Sequence, residues 1–373
     1  MMLSQSLTFY QELQQIPAPR DARGKRHSSF AYIIGSVLLA LMHCRTSLSS
    51  IHRFLKNRRE QLQSLFQKED SPSISRAHLP RILSKVDWLF VSHLTQRHFG
   101  FALSITQEWV AIDGKCLRGS SKQDKLMFLF AVTHQSRITL EQTPLQGKKE
   151  NEVPYARNMI QTSLSDEKIT LDAVHLNPET TALIHHGKGT YLIQAKENQP
   201  LLLQQLQSIA TQKQPFHQTT KTEKGHGRVT TWTYQWFSLE IPQLPSRWNQ
   251  SGLSIVVTVT RENFKLKTGK ISKETSYYVS NRKVNQEQQQ AELHTAIRNH
   301  WSVESENWIR DSLFKEDEYQ TQSHHLATLV ATLRTTVIQI FRKLKTKNFN
   351  ELIDLYRDSQ DALEKDLRKL NFL

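Results

Sequence analysis

The chain has 373 residues, with 49 Lys plus Arg against 35 Asp plus Glu, a formal charge of +14 and a pI near 9.7. That length leaves room for at least two units and a sizeable core, and the positive balance favours a polyanion, most commonly nucleic acid, over an acidic partner. Two cysteines, Cys44 and Cys116, exclude a disulfide framework and a zinc-finger spacing and point to a reducing, cytoplasmic setting.

Residues 3–19 read as a short helix through Phe9, Leu13 and Ile16 that stops at Pro17 and Pro19. Arg20, Arg23, Lys25, Arg26 and His27 then cluster around Gly24, either as a solvated loop or as a phosphate contact. The longest apolar run, Phe30 to Cys44, is shorter than the roughly 18 to 20 residues that cross a bilayer, so it reads as a buried helix and no membrane partner is expected. It begins too far from Met1, and lacks the small-residue cleavage site, for a signal peptide. A helix around Ile51, Phe54 and Leu55 follows, with Arg53, Lys56, Arg58 and Arg59 on its polar side, a face that suits a DNA backbone. Helical spacing resumes through Leu79, Ile82, Leu83 and Val86. Residues 1–100 are therefore expected to form an all-helical N-terminal unit, either a helix-turn-helix DNA reader or a plain bundle.

From residue 107 the period changes to that of strands. Trp109 to Ile112, Leu126 to Thr133 and Arg137 to Pro144 predict an antiparallel meander. A helix at Glu152 to Leu164, a strand at Lys168 to Leu176, a helix opening at Asn177-Pro178, a strand at Thr190 to Lys196 and a helix after Pro200 complete the order β-β-β-α-β-α-β-α over residues 101–216. That connectivity resembles a ribonuclease H-like α/β domain, a mixed sheet flanked by helices in which the first and fourth strands are neighbours. Asp113 would end the first strand, and Asp172 would lie in the fourth where its apolar residues give way to a loop. Asp113-Gly114 is by itself a common turn dipeptide. Two carboxylates at one sheet edge, however, are unfavourable without a positive charge between them, and hard divalent cations with oxygen ligands serve that purpose.

Residues 217–285 break the alternation with a β-rich insertion: VTTWTYQWF, LSIVVTVTR and TSYYVSN, with Trp232, Tyr234 and Trp236 alternating as in a half-exposed sheet. Residues 286–373 complete the core with helices. In the first of these, from about Asn285 to Leu313, Ile297, Trp301, Glu304 and Trp308 share one face, which is expected to be buried. Glu304 is then either a structural acid paired with Arg298 or Arg310, or a third metal ligand; Glu306, Asp311, Glu316 and Asp317 compete for the latter role. Three such acids could hold two Mg2+ ions about 3.5 to 4 Å apart for phosphoryl transfer. The last apolar stripe, from Leu326 to Phe341, is explained by core packing or by a dimer seam.

AIDGKCLRGS, ITLDAVHLNPETTALI, GTYLIQAKENQPLLLQQL and IRNHWSVESENWIRDSLFKED, preceded by FYQELQQIPAPRDARGKRHSSFAYIIGSVLLALM, resemble in order and spacing the motifs of DDE transposases of the H-repeat-associated type over nearly the whole chain. The resemblance implies that Asp113, Asp172 and Glu304 are the catalytic, metal-binding Asp, Asp and Glu. It implies two Mg2+ ions, with Mn2+ able to substitute, hydrolysis at the ends of an insertion sequence, and joining of the 3′-hydroxyl to target DNA. The partners implied are the element ends and target DNA, with a homodimer in the synaptic complex, at the nucleoid of a bacterial cytoplasm. Lys196 and Asn198 in KENQP and Arg228 in GHGR fall on family motifs. With Arg20, Arg23, Lys25, Arg26, Lys115, Arg118 and Arg298 they form the expected set of DNA contacts. Val303-Glu304-Ser305 stands where the family has Ile-Glu-Asn, and an Asn-rich stretch is shortened near Ser323 to His325. These departures leave the three acids in place. The alternatives are a catalytically inactive DNA-binding relic and a metal-dependent nuclease without strand transfer.

Overall fold

A computed structural model describes residues 7–16, 28–68, 71–100, 108–119, 125–145, 152–240, 242, 244–284 and 287–373. Its centre is a mixed nine-stranded sheet: β1 (Trp109–Cys116), β2 (Met127–Thr133), β3 (Thr139–Leu145), β4 (Lys168–Leu171), β5 (Thr190–Ala195), β6 (His217–Gly225), β7 (Arg228–Ser238), β8 (Ile255–Lys265) and β9 (Ile271–Ser280). The spatial order is β3-β2-β1-β4-β5-β9-β8-β7-β6. The first three strands form the expected antiparallel meander, and β4 and β5 run parallel to β1. The first and fourth strands are therefore neighbours. The architecture is α/β.

The strand-rich stretch after residue 217 extends this same sheet, because β9 pairs with β5. It contains a strand that the sequence reading did not anticipate. Both faces of β6, HQTTKTEKG, meet solvent, so it has no apolar alternation to betray it. Its link to β7 is a two-residue turn with His226 and Gly227 both at positive φ, the geometry that suits a right-twisted hairpin.

Helices cover the sheet on both faces. α1 (Phe9–Leu13), α2 (Phe30–Met42), α3 (Leu48–Asn57), α4 (Arg59–Leu65), α5 (His78–Leu83) and α6 (Trp88–Phe99) precede it. α7 (Glu152–Ser163), α8 (Pro178–His186) and α9 (Pro200–Gln212) lie between strands, and α10 (Glu287–Asn299), α11 (Ser302–Ser312), α12 (His324–Lys343), α13 (Phe349–Asp358) and α14 (Gln360–Lys369) follow. Every residue of α2 is buried, as its continuous apolar run requires; each large side chain removed from water there contributes about 1.5 to 3 kcal/mol. The helices of the first hundred residues share one apolar core with α12, α13 and α14. Phe9 stacks on Phe372, and the amides of Phe9 and Tyr10 donate to the carbonyls of Asn371 and Phe372. The unit expected over residues 1–100 is thus packed into the C-terminal helices. α12 is buried along almost its full length, so core packing accounts for its stripe.

Three local departures bear on the acids. β1 does not end at Asp113 but continues to Cys116, since the wholly buried β2 keeps pairing with it: Asp113 stands opposite Phe130 and Gly114 opposite Leu129. β4 does stop, at Leu171, and Asp172 caps a short 3-10 turn at Ala173–His175 instead of lying inside a strand that runs to Leu176. The helix expected from 285 to 313 is broken at His300 and Trp301 into α10 and α11. Ile297 and Val303, which would lie on different faces of a continuous helix, can then both pack against the sheet.

Candidate metal centre

The period of two along the strands decides which side chains meet. Val110 and Ile112 of β1, with Ile169 and Leu171 of β4, enter the core on one face. Ala111 enters the core on the other, beneath Val303 and α12. Asp113 alternates with Ile112, and Asp172 with Leu171, so both carboxylates belong to this second face. Ile112–Leu171 is the last parallel pair, and both acids stand one step beyond it. The face is roofed by the end of α10 and the start of α11. Asp113, Asp172 and Glu304 line one cleft of about 170 Å3 together with Thr170, Lys196, Tyr278, His300 and Trp301.

The charges in this cleft are poorly compensated. Burial, then the carboxylate of Glu152, push Asp113 up to about 6, with smaller upward contributions from Glu304 and Asp172 and only the Gly114 amide opposing. Burial raises Glu304 as well, and Asp172 adds to it. Asp172 is held below its ordinary value: burial opposes this, but the Ala173 amide, which donates to its Oδ1 at 2.7 Å, and the Lys196 ammonium, 3.4 Å away, outweigh it. Asn307 of α11 donates to Asp113 Oδ2 at 3.4 Å, tying that helix to β1.

Sequence reasoning missed Glu152. It opens α7 and is buried, with its Oε1 3.3 Å from His175 Nε2. Its carboxylate lies where a side chain at position 114 would be: an added Cβ would come within 2.8 Å of its Cδ. Gly114 is needed for this close approach, since it sits in an extended strand with no turn to make. Glu152 lies in a polar stretch without periodicity, so only the three-dimensional proximity to Asp113 singles it out. Thr170 is a second missed centre. Its hydroxyl is 2.9 Å from both His134 Nε2 and His300 Nδ1, and burial drives these imidazoles down to about 3 and about 4, so both are neutral and able to share one hydroxyl.

The competitors of Glu304 are committed elsewhere. Glu306 is 1 % exposed and paired with Arg342. Asp311 accepts from Lys115 Nζ at 2.5 Å, Glu316 lies between Lys115 and Arg334, and Asp317 faces Lys115 and Arg118. The face carrying Trp301, Glu304 and Trp308 is not buried, contrary to expectation: the tryptophans are 62 % and 68 % exposed. α11 turns Val303, Glu306 and Arg310 inward instead.

The expected DNA contacts separate into groups. Lys115 is 6 % exposed and its ammonium is taken up by Asp311, Glu316 and Asp317; alternation on β1 puts it on the buried face two residues after Asp113. Arg298 is paired with Glu223, and its guanidinium lies 4.9 Å from the centre of the Trp232 ring. Asn198 donates to the Ala173 carbonyl at 2.7 Å and so braces the turn that carries Asp172. Lys196 is at the cleft edge, Arg118 is exposed beside Asp317, and Arg228 is exposed at the tip of the β6–β7 hairpin. Arg20, Arg23, Lys25 and Arg26 lie outside the described residues.

Among the described residues, no three acid, His or Cys side chains are already gathered at metal-ligand spacing. The donor chemistry nevertheless fits a hard divalent cation: three carboxylates face one cleft, and the most buried of them is pushed up by burial and then by its acidic neighbours.

Curated relatives are distant. "Putative protein YbfL" of Escherichia coli (strain K12) is 26% identical over 244 residues, which is 62% of this chain and 63% of that protein. "Putative transposase YncI" of Escherichia coli O157:H7 is 23% identical over 290 residues, 72% of this chain and 70% of that protein. "H repeat-associated putative transposase YhhI" of strain K12 is 25% identical over 244 residues, 62% and 63% of the two lengths. The match therefore spans less than two thirds of YbfL and of YhhI. No protein-family model matches the chain.

Proposed function

We propose that this chain, a relative of the H-repeat-associated transposases, is a DNA transposase that cleaves insertion-sequence ends and joins them to target DNA. The observation that carries the reading is the convergence of Asp113, Asp172 and Glu304 on one cleft beyond the ends of adjacent parallel strands. The strand order β3-β2-β1-β4-β5 supports a ribonuclease H-like core, and the names of YncI and YhhI, both putative transposases, support the transposase reading. The excess of cations over acids suits a DNA partner.

In this reading Asp113, Asp172 and Glu304 hold two Mg2+ ions, for which Mn2+ substitutes. The bound metal supplies charge stabilisation for phosphoryl transfer. Asn307 orients Asp113, and Asn198 and the Ala173 amide fix the turn that presents Asp172. Lys196, which lines the mouth of the cleft, would meet the phosphate backbone. Two ends must be brought together, so the working assembly is a homodimer. Among the described residues no helix is long and apolar enough to cross a membrane, and the proposed setting is the nucleoid of a bacterial cytoplasm.

The test uses purified protein and a plasmid carrying the sequences that flank its gene. Mg2+-dependent cleavage at those flanks and joined products are expected, and Asp113→Asn should lose both by at least 100-fold while still binding DNA. Unchanged cleavage in the variant would remove the site assignment. Binding without cleavage in either Mg2+ or Mn2+ would select the inactive relic, and cleavage without joined products the nuclease.

A further inference from the structure

A second groove, of about 570 Å3, opens beside the acid cleft and shares with it the wall made by Lys196, Tyr278 and Trp301. Its floor is the part of the sheet added by β7, β8 and β9, which contributes Trp232 and Arg261, and α10 adds Arg298. Trp301, at the break between α10 and α11, is 62 % exposed although aromatic rings of this size are normally highly buried. Arg298 is held by Glu223 over the Trp232 ring, which fixes that ring in the groove wall instead of leaving a free cation.

Aromatic faces and cations in one channel discriminate between forms of DNA. A duplex keeps its bases stacked inside and presents phosphates, so it would meet Lys196 and Arg261 but leave the Trp301 face against water. An unpaired strand offers a π-face with every base and a phosphate with every step, which is what such a channel can recognise irrespective of sequence. We propose that the groove binds unpaired nucleotides of the strand whose phosphate enters the acid cleft. Their bases stack on Trp301, with Tyr278 and the Arg298-covered Trp232 lining the wall beside it, and Lys196 and Arg261 meet the backbone. The inference rests on the reading of the chain as a DNA-processing enzyme and specifies the form in which the DNA reaches the acids: locally melted.

The test compares the full chain, in chelator so that nothing is cut, binding a fluorescein-labelled oligothymidylate of about eight nucleotides and a blunt hairpin duplex. Anisotropy gives affinity, and quenching of tryptophan fluorescence reports stacking. Trp301→Ala should weaken the oligothymidylate about tenfold and abolish most of the quenching, with duplex affinity changed less than twofold, and Trp301→Phe should recover most of the loss. Arg261→Ala, a second variant on a different element, should weaken the single strand more than the duplex. Equal effects on both DNA forms, no effect on either, or no binding of the oligothymidylate by the wild type would overturn the groove. Parallel Mg2+ assays separate the two claims. Cleavage without the single-strand effect removes the groove alone, and the single-strand effect without cleavage in any divalent metal removes the transposase reading alone.

Discussion

At the scale of single residues, Asp113 is the group whose surroundings are hardest to reconcile with a purely structural role. Its carboxyl is raised to about 6 from an unfolded value of 3.8, by burial and by Glu152 before any other neighbour. The sign of the consequence is fixed. Between those two values the unfolded chain has released the proton and the folded chain retains it, so stability falls as pH rises through the window. Asp113→Asn cannot ionise and escapes that loss. In chelator the variant is expected to melt at a higher temperature than the wild type at pH 7.5, with the gap closing as pH is lowered toward 4. Adding Mn2+ should reverse the order by stabilising only the wild type. A variant less stable than the wild type at pH 7.5 in chelator would contradict this picture of the cleft. Asp113 and Asp172 were legible from the strand order, because each stands where an apolar strand meets polar sequence. Glu152 was not, because what marks it is the missing Cβ of Gly114 on a different element.

At the scale of elements, the relation between β1 and α11 matters most, since they carry Asp113 and Glu304. Lys115 clamps them: it follows Asp113 on the same strand face and pairs with Asp311, two turns after Glu304 on the helix, with Glu316 and Asp317 close by. Removing it leaves these acids without their shared cation. Lys115→Met is therefore expected to cost about 3 kcal/mol, the usual consequence of breaking a buried pair. Asp311→Asn should cost less, because Lys115 keeps Glu316. Denaturant midpoints with unchanged slopes would measure both. A Lys115→Met protein of wild-type stability with weakened DNA affinity would restore the phosphate-contact role that the sequence suggested. That role was a fair expectation for a cation beside Asp113, but composition does not reveal which face of a strand is covered. The same limit explains Trp301 and Trp308. Helical spacing placed Trp301, Glu304 and Trp308 together, but it could not tell a face turned to the core from one turned to a ligand. The strand order survived because apolar runs and short links are local signals, whereas the fully polar β6 carries no such signal.

At the scale of the whole molecule, the two terminal helical regions share one apolar core, and Ala327 and Ala331 of α12 also pack against β1 and β2. α12 is buried among residues from the first hundred and from the last fifty, and α1 hydrogen-bonds to the C-terminal residues Asn371 and Phe372. A fragment beginning at residue 108 would expose most of that apolar surface, so it is expected to be insoluble or to lack a cooperative unfolding transition. A soluble, cooperatively folding fragment would show the sheet and its acids to be an independent domain. The sequence boundary near residue 100 marked a change of period from helix to strand, and such a change does not require a break in the core.

The most direct measurement is a Mn2+ titration followed by calorimetry and by electron paramagnetic resonance, on the wild type and on Asp113→Asn, Asp172→Asn and Glu304→Gln. Mn2+ is expected to bind the wild type, and each single variant to weaken that binding at least tenfold while the fold is retained. Mn2+ bound equally well by all four proteins, or by none, would contradict the claim that these three carboxylates form one metal centre.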